Sequence, residues 1–147
     1  MAFSNFEITL SARLTPGQVM EAFADLVPLG ARIDVQDEFP EELGKVWAQI
    51  KGTDDPDWPS FLSVMCADDC GLGPHEDLTL AVRLWARFGV NALCHTYPFV
   101  EEVDPRDPYW ALACIEGRWH LADTSGTRLW GDGDGKVRLV RAVEIPW

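Results

Sequence analysis

The part of this chain hardest to place in a fold is a helix with almost no polar side, followed at once by an apolar strand: residues 74–97, PHEDLTLAVRLWARFGVNALCHTY. Leu78, Ala81, Val82, Trp85 and Phe88 recur at helical spacing, and Leu80 and Leu84 widen the apolar surface. Glu76, Thr79, Arg83 and Arg87 remain as a narrow polar strip. Glu76 and Asp77 fall in the first turn, where negative charge meets the positive end of the helix dipole, and Arg83 and Arg87 lie toward the other end. Gly89 stands where a left-handed cap would close the helix. Residues 90–94 then read as a central strand. Such a helix needs cover on more than one side.

The remaining segments supply that cover. Residues 3–10 alternate, with Phe6, Ile8 and Leu10 on one side and Glu7 and Thr9 on the other, the pattern of a half-buried strand. Thr15, Pro16 and Gln18 form the N-cap, first position and capping-box partner of a helix whose apolar face is Val19, Met20, Phe23, Leu26 and Val27, ending at residues 28–30. Residues 31–36 read as a short strand, and residues 40–43 as a place for a helical turn. Residues 46–50 read as a strand or as a continuation of that turn, and residues 60–66 as a strand. Residues 51–59 (KGTDDPDWP) and 67–74 (ADDCGLGP) are loops by their Gly, Pro and Asp content. Beyond an acidic connection, residues 109–115 and 118–122 pair around Glu116 and Gly117, and residues 128–130 pair with 136–145 around residues 131–135. The order strand, helix, strand, strand, helix, strand fits a split βαβ layout. The expected fold is a single α+β domain over residues 1–147. Two helices pack on one face of a largely antiparallel sheet, and the C-terminal third is all strand.

A chain of 147 residues, 47% of them apolar, can bury one core. No apolar run is long enough to span a bilayer, and the opening residues MAFSNFEITL lack the parts of a signal peptide, so a cytoplasmic protein is expected. In that compartment Cys66, Cys70, Cys94 and Cys114 are expected as free thiols. Acids outnumber bases by 24 to 12, and residues 34–82 hold twelve acids against Lys45 and Lys51. A surface so negative excludes direct nucleic-acid binding, because phosphates require a positive partner. Two readings of the charge remain: a solvated face, or a surface that attracts a basic protein.

Candidate chemistry is sparse. Residues 131–136 (GDGDGK) fail as an EF-hand loop, since Lys136, Val137 and Val143 stand where an oxygen ligand, Gly and Glu are needed. Cys66, Cys70 and His75 lack the spacing of a structural zinc site, so no metal or cofactor is expected. Residues 117–124 (GRWHLADT), with Trp110 on the partner strand and Phe88-Gly89-Val90 after the helix, resemble the strand and helix of the transglutaminase-like, papain-like superfamily over residues 70–124. That resemblance implies a Cys at the helix start and a His two residues before Trp110. Here those positions fall near His75 and on Pro108, and Asp123 alone matches. It leaves an alternative reading: a thiol enzyme using Cys70 with His95 or His120 and Asp123. In a simple strand His120 and Asp123 point to opposite faces, and Asp123 also suits a turn cap through Thr124 and Ser125.

A small, acidic, aromatic-rich chain without a complete catalytic set is similar, as a class, to the immunity proteins that neutralise bacterial polymorphic toxins. The resemblance implies a non-enzymatic toxin inhibitor whose partner is a basic toxin domain. Acidic loops carrying an aromatic would form the interface: Asp54, Asp55, Asp57 and Trp58, then Asp68 and Asp69, then Phe99, Glu101 and Glu102. Trp58 reads equally as a core residue capping the strand at Phe61.

Overall fold

The computed structural model describes residues 3–72 and 75–146. Gly73 and Pro74, which end the second loop of the sequence reading, lie outside them. The strands are β1 (Phe3–Leu10), β2 (Ile33–Val35), β3 (Val46–Gly52), β4 (Ser60–Ala67), β5 (Ala92–His95), β6 (Trp110–Ile115), β7 (Arg118–Asp123) and β8 (Arg138–Ala142), and the helices are α1 (Pro16–Ala24) and α2 (Glu76–Phe88). They form one sheet in the order β2-β3-β4-β1-β5-β6-β7-β8, antiparallel throughout except for β2 beside β3. The fold is α+β, with both helices on one face. β1 lies between β4 and β5 and runs against both. β4, α2 and β5 therefore make a parallel crossover with β1 threaded through it, which is the split βαβ arrangement.

Local sequence accounts for most of these elements. α1 opens on the capping box: Gln18 N donates to Thr15 Oγ1 (3.2 Å) and Thr15 N to Gln18 Oε1 (2.9 Å). α2 closes on Gly89 at φ 66°, the left-handed cap. The β6–β7 hairpin turns through Glu116 (φ 51°) and Gly117 (φ 79°), and a Cβ on Gly117 would lie 3.0 Å from the Trp85 indole. The helix-side core joins Ile8, Leu10, Leu62, Val64, Leu112 and Leu121 of the sheet to Val19, Ala22 and Phe23 of α1 and Leu78, Leu80, Ala81 and Leu84 of α2. All four cysteines are free and buried. Among the described residues, no helix is long and apolar enough to cross a membrane.

Four local expectations change. α1 stops at Ala24, so Leu26 and Val27 reach the core from a following turn, and Met20 faces solvent. Residues 40–43 form no helical turn, and residues 46–50 are strand. Residues 128–130 are a 3-10 turn and not a strand. Side chains take the amides that a ladder would need: Leu129 N donates to Thr127 Oγ1 (3.2 Å) and Arg128 N to Asp55 Oδ2 (3.1 Å). β8 pairs with β7 instead, with an irregularity at Leu121/Ala122. Finally, α2 is less enclosed than its spacing suggests, since Val82 is exposed. Its arginines bind α1: Arg83 donates to Asp25, and Arg87 reaches Asp25 (2.7 Å) and Glu21 (3.1 Å).

Asp77 is buried, not simply a first-turn charge. Its Oδ1 accepts from Tyr97 Oη (2.5 Å) and from Leu78 N (2.8 Å). Burial pushes its carboxyl above the ordinary value of 3.8, with the Tyr97 and Leu78 bonds pulling the other way. As pH climbs, the unfolded chain then ionises Asp77 before the folded one does. The stability tied to its protonated form is complete below the ordinary value and is lost as pH rises through the folded one. Asp77→Asn keeps an acceptor without the titration. The melting temperature of Asp77→Asn minus that of the native chain is expected to rise between pH 4 and pH 7. A difference flat across that range would contradict the burial argument.

Candidate functional site

Strand alternation sends a second set of side chains to the face without helices: Asn5, Glu7 and Thr9 of β1, Phe61, Ser63 and Met65 of β4, and Leu93 and His95 of β5. The two halves of this face differ. Over β5, β6 and β7 it carries its own small core, Trp58, Leu93, Ala111, Ala113 and Ala122, joined by Ile115, Leu129 and Val137. Alanines at 111, 113 and 122 leave the depth that Trp58 and Leu129 fill. Over β3, β4 and β1 the face is open.

The loops that cover the first half are tied by side-chain hydrogen bonds. Asp55 is 4% exposed; its Oδ1 accepts from Asp57 N (2.9 Å) and Trp58 N (3.2 Å), and its Oδ2 from Arg128 N. Thr53 Oγ1 donates to the Trp58 carbonyl. Trp130 is 47% exposed but fixed: its Nε1 donates to Thr124 Oγ1 (2.7 Å), that hydroxyl donates to the Tyr109 carbonyl (2.7 Å), and the Tyr109 ring meets it edge-on at 5.4 Å.

Where the covered half meets the open half there is a cavity of about 370 Å³. Its floor includes Glu7, Thr9, Phe61, Leu93 and His95, and its walls include Asp54, Trp110, Arg128, Leu129 and Trp130. A second hollow of about 230 Å³ adjoins it over β3, β4 and β1, and Glu7 and His95 line both. The β1–β5 register, Thr9 opposite Leu93, carries on to set Glu7 beside His95. Trp47 and Gln49 end the trough, and the β2–β3 loop is fastened to them: Trp47 Nε1 donates to the Gln36 carbonyl (3.0 Å) and Gln49 Nε2 to the Asp37 carbonyl (2.5 Å). Phe39 sits edge-on to Trp47 at 4.8 Å and is 60% exposed.

The ion pairs occupy eight of the twelve basic residues, on the partners Glu21, Asp25, Asp34, Asp57, Asp69, Glu102, Asp104 and Asp123. Among the described residues, Glu7 and Asp54 in the cavity lining, and Asp37, Glu38, Glu41 and Glu42 in the β2–β3 loop, have no ion-pair partner, and all six are exposed. Two of these carboxylates line the cavity together with Arg128, and the other four lie in the loop fastened to Trp47 and Gln49. Among the described residues, no three His, Cys, Asp or Glu converge as a metal-ligand group.

The expected interface residues are placed differently. Trp58 (7% exposed) and Asp55 are buried and not the exposed loop residues expected: Trp58 packs in the small core, the other reading of that residue, and Asp55 binds the loops. Asp57 pairs with Lys136, Asp69 with Lys45 and Glu102 with Arg141, while Asp68 accepts from Ser4 Oγ (3.2 Å). Phe99 is half-buried and stacked on Tyr97. Asp54 and Glu101 are exposed. The three loops also divide between the ends of the sheet, since β3 runs against β4 and β5 runs with β4. Residues 54–58 leave one end; Asp68, Asp69, Phe99, Glu101 and Glu102 leave the other.

The structure does not assemble the thiol triad either. Cys70 is buried beside Cys66 on the helix side. His95 and His120 project from the opposite face, His120 across from Ala113. Asp123 caps a turn, accepting from Ser125 N (2.9 Å) and Arg138 (3.0 Å), and these bonds hold its carboxyl below the usual value. Burial pushes the Cys66, Cys94 and Cys114 thiols up, away from the reactive thiolate. Glu7, Phe39 and Trp130 are not among the candidate residues that the sequence offers. Phe39 carries the signal used for Trp58, an aromatic within an acidic run. Glu7 and Trp130 carry none until the sheet and the Thr124 bond place them. No protein family, no curated protein and no solved structure matches the chain.

Proposed function

We propose that this chain is a non-enzymatic binding protein that captures a basic protein domain on its helix-free face, in the manner of an immunity protein masking a toxin. The observation that carries this reading is a set of six exposed carboxylates, Glu7 and Asp54 in the cavity lining and Asp37, Glu38, Glu41 and Glu42 in the β2–β3 loop, that stand outside the ion pairs of the described residues. Unneutralised charge around a concave surface speeds encounter with an oppositely charged partner. Exposed, braced aromatics such as Phe39 and Trp130 give such an encounter its anchors. A cytoplasmic setting suits an inhibitor of this kind.

The test is affinity capture from the source cells, followed by binding measurements with the purified partner. A basic protein bound one-to-one is expected. Its affinity should fall with added salt, and should drop about a hundredfold in Glu38→Lys/Glu41→Lys/Glu42→Lys, through like-charge repulsion. Glu116→Lys, on the hairpin tip, is the control and should bind like the native chain. Equal binding by the triple reversal would remove the trough as the interface, and an acidic partner would remove the electrostatic argument itself.

A further inference from the structure

We infer that the cavity of about 370 Å³ is a socket for a single guanidinium group, the tip of an arginine side chain presented by the partner. The inference rests on the binding-protein reading and narrows it to one contact. Three observations carry it. Glu7 and Asp54 both line the cavity, both are exposed, and neither has a hydrogen-bond or ion-pair partner among the described residues. Phe61 and Trp130 line the same space, and the Trp130 ring is already held by Thr124 and Tyr109. Leu93 and Ala111 supply an apolar floor.

Together these select a flat cation on an apolar stem. Aromatic faces attract a cation, a carboxylate accepts from a guanidinium, and the methylene stem matches an apolar floor. A ring already fixed loses little freedom on binding, which favours a specific contact over a diffuse one. Arg128 is the opposing charge in the lining. Two carboxylates against it leave the lining net negative, whereas an anion would face both of them.

Nuclear magnetic resonance of the intact chain tests this without the partner, by following the Trp130 indole signal. N-acetyl-arginine amide is expected to shift it saturably. N-acetyl-citrulline amide, the same shape without the charge, is expected to leave it unmoved. Glu7→Gln/Asp54→Asn removes both charges from side chains that support nothing in the fold, so its melting temperature should match the native chain while arginine affinity falls about tenfold. Equal shifts from citrulline, no saturable arginine shift, an unchanged affinity in the double variant, or a preference for N-acetyl-glutamate amide would each overturn the socket. The purified partner separates this inference from the broader reading. Binding lost in the β2–β3 loop reversal but unchanged in Glu7→Gln/Asp54→Asn would sink the socket alone, and binding unchanged in both would sink the reading as well.

Discussion

Asp55→Ala is expected to lower the unfolding free energy by about 3–4 kcal/mol, a large part of what a domain of this size has. The native carboxylate is buried and accepts three backbone N–H groups, from Asp57, Trp58 and Arg128. Alanine leaves all three without that acceptor, each at a cost of about 1–3 kcal/mol where water cannot replace it. The loss also crosses elements, because this side chain ties the β3–β4 loop to the 3-10 turn. Asp55→Asn should cost about half as much, since its amide keeps one accepting oxygen but turns a donor toward another donor. Asp54→Ala, one residue away and exposed, should change stability by less than about 0.5 kcal/mol. Urea unfolding of the three variants decides the matter. Equal effects at positions 54 and 55 would show that the loop is held by something other than this carboxylate. In Asp55→Ala the cavity should also lose its affinity for arginine, because its walls at Asp54 and Leu129 belong to the two loops released.

Gly133→Ala is expected to destabilise the chain by about 2–3 kcal/mol, the range of an overpacked site. A Cβ there would stand 2.3 Å from the Gly126 carbonyl oxygen and 2.8 Å from its carbon. Both are backbone atoms, and the same carbonyl accepts from Gly135 N at 2.9 Å, so it cannot swing aside without breaking the loop closure. The control is Gly126→Ala, whose Cβ would meet nothing within 4 Å and whose backbone is not in the left-handed region. It should be close to neutral. The loop of residues 126–135 follows Thr124 and carries Trp130, so the strained variant should show a displaced Trp130 indole signal as well as a lower urea midpoint. A Gly133→Ala protein as stable as the native chain would mean that the close approach of these backbone segments is not needed.

Neither effect is legible in the sequence alone. Asp54, Asp55 and Asp57 are indistinguishable as letters in one acidic loop. Tertiary contacts make the first a free charge, the second an internal acceptor and the third half of an ion pair with Lys136. Trp58 failed as an exposed anchor because three small residues on neighbouring strands, Ala111, Ala113 and Ala122, leave a space that only the assembled sheet defines. Residues 128–130 failed as a strand because Thr127 and Asp55 take their amides, and the second of those is far away in sequence. The acidic segment was legible as charge, but which of its carboxylates lack cations depends on where Lys45, Lys136 and Arg32 fall.

What the sequence determined alone is what depends on neighbours a few residues apart. The Thr15 capping box, the Gly89 cap, the Glu116-Gly117 turn and the alternation of β1 are local, and local geometry follows from backbone sterics and short-range hydrogen bonds. The α+β class followed from the order of those elements. Only the tertiary structure decided which side of each strand would be covered. Both crossovers placed their helices on one face, and the loops after β3 and β7 closed over half of the other. A cavity is a property of that closure: its lining comes from residues more than a hundred positions apart, such as Glu7 and Trp130, and no local pattern links them.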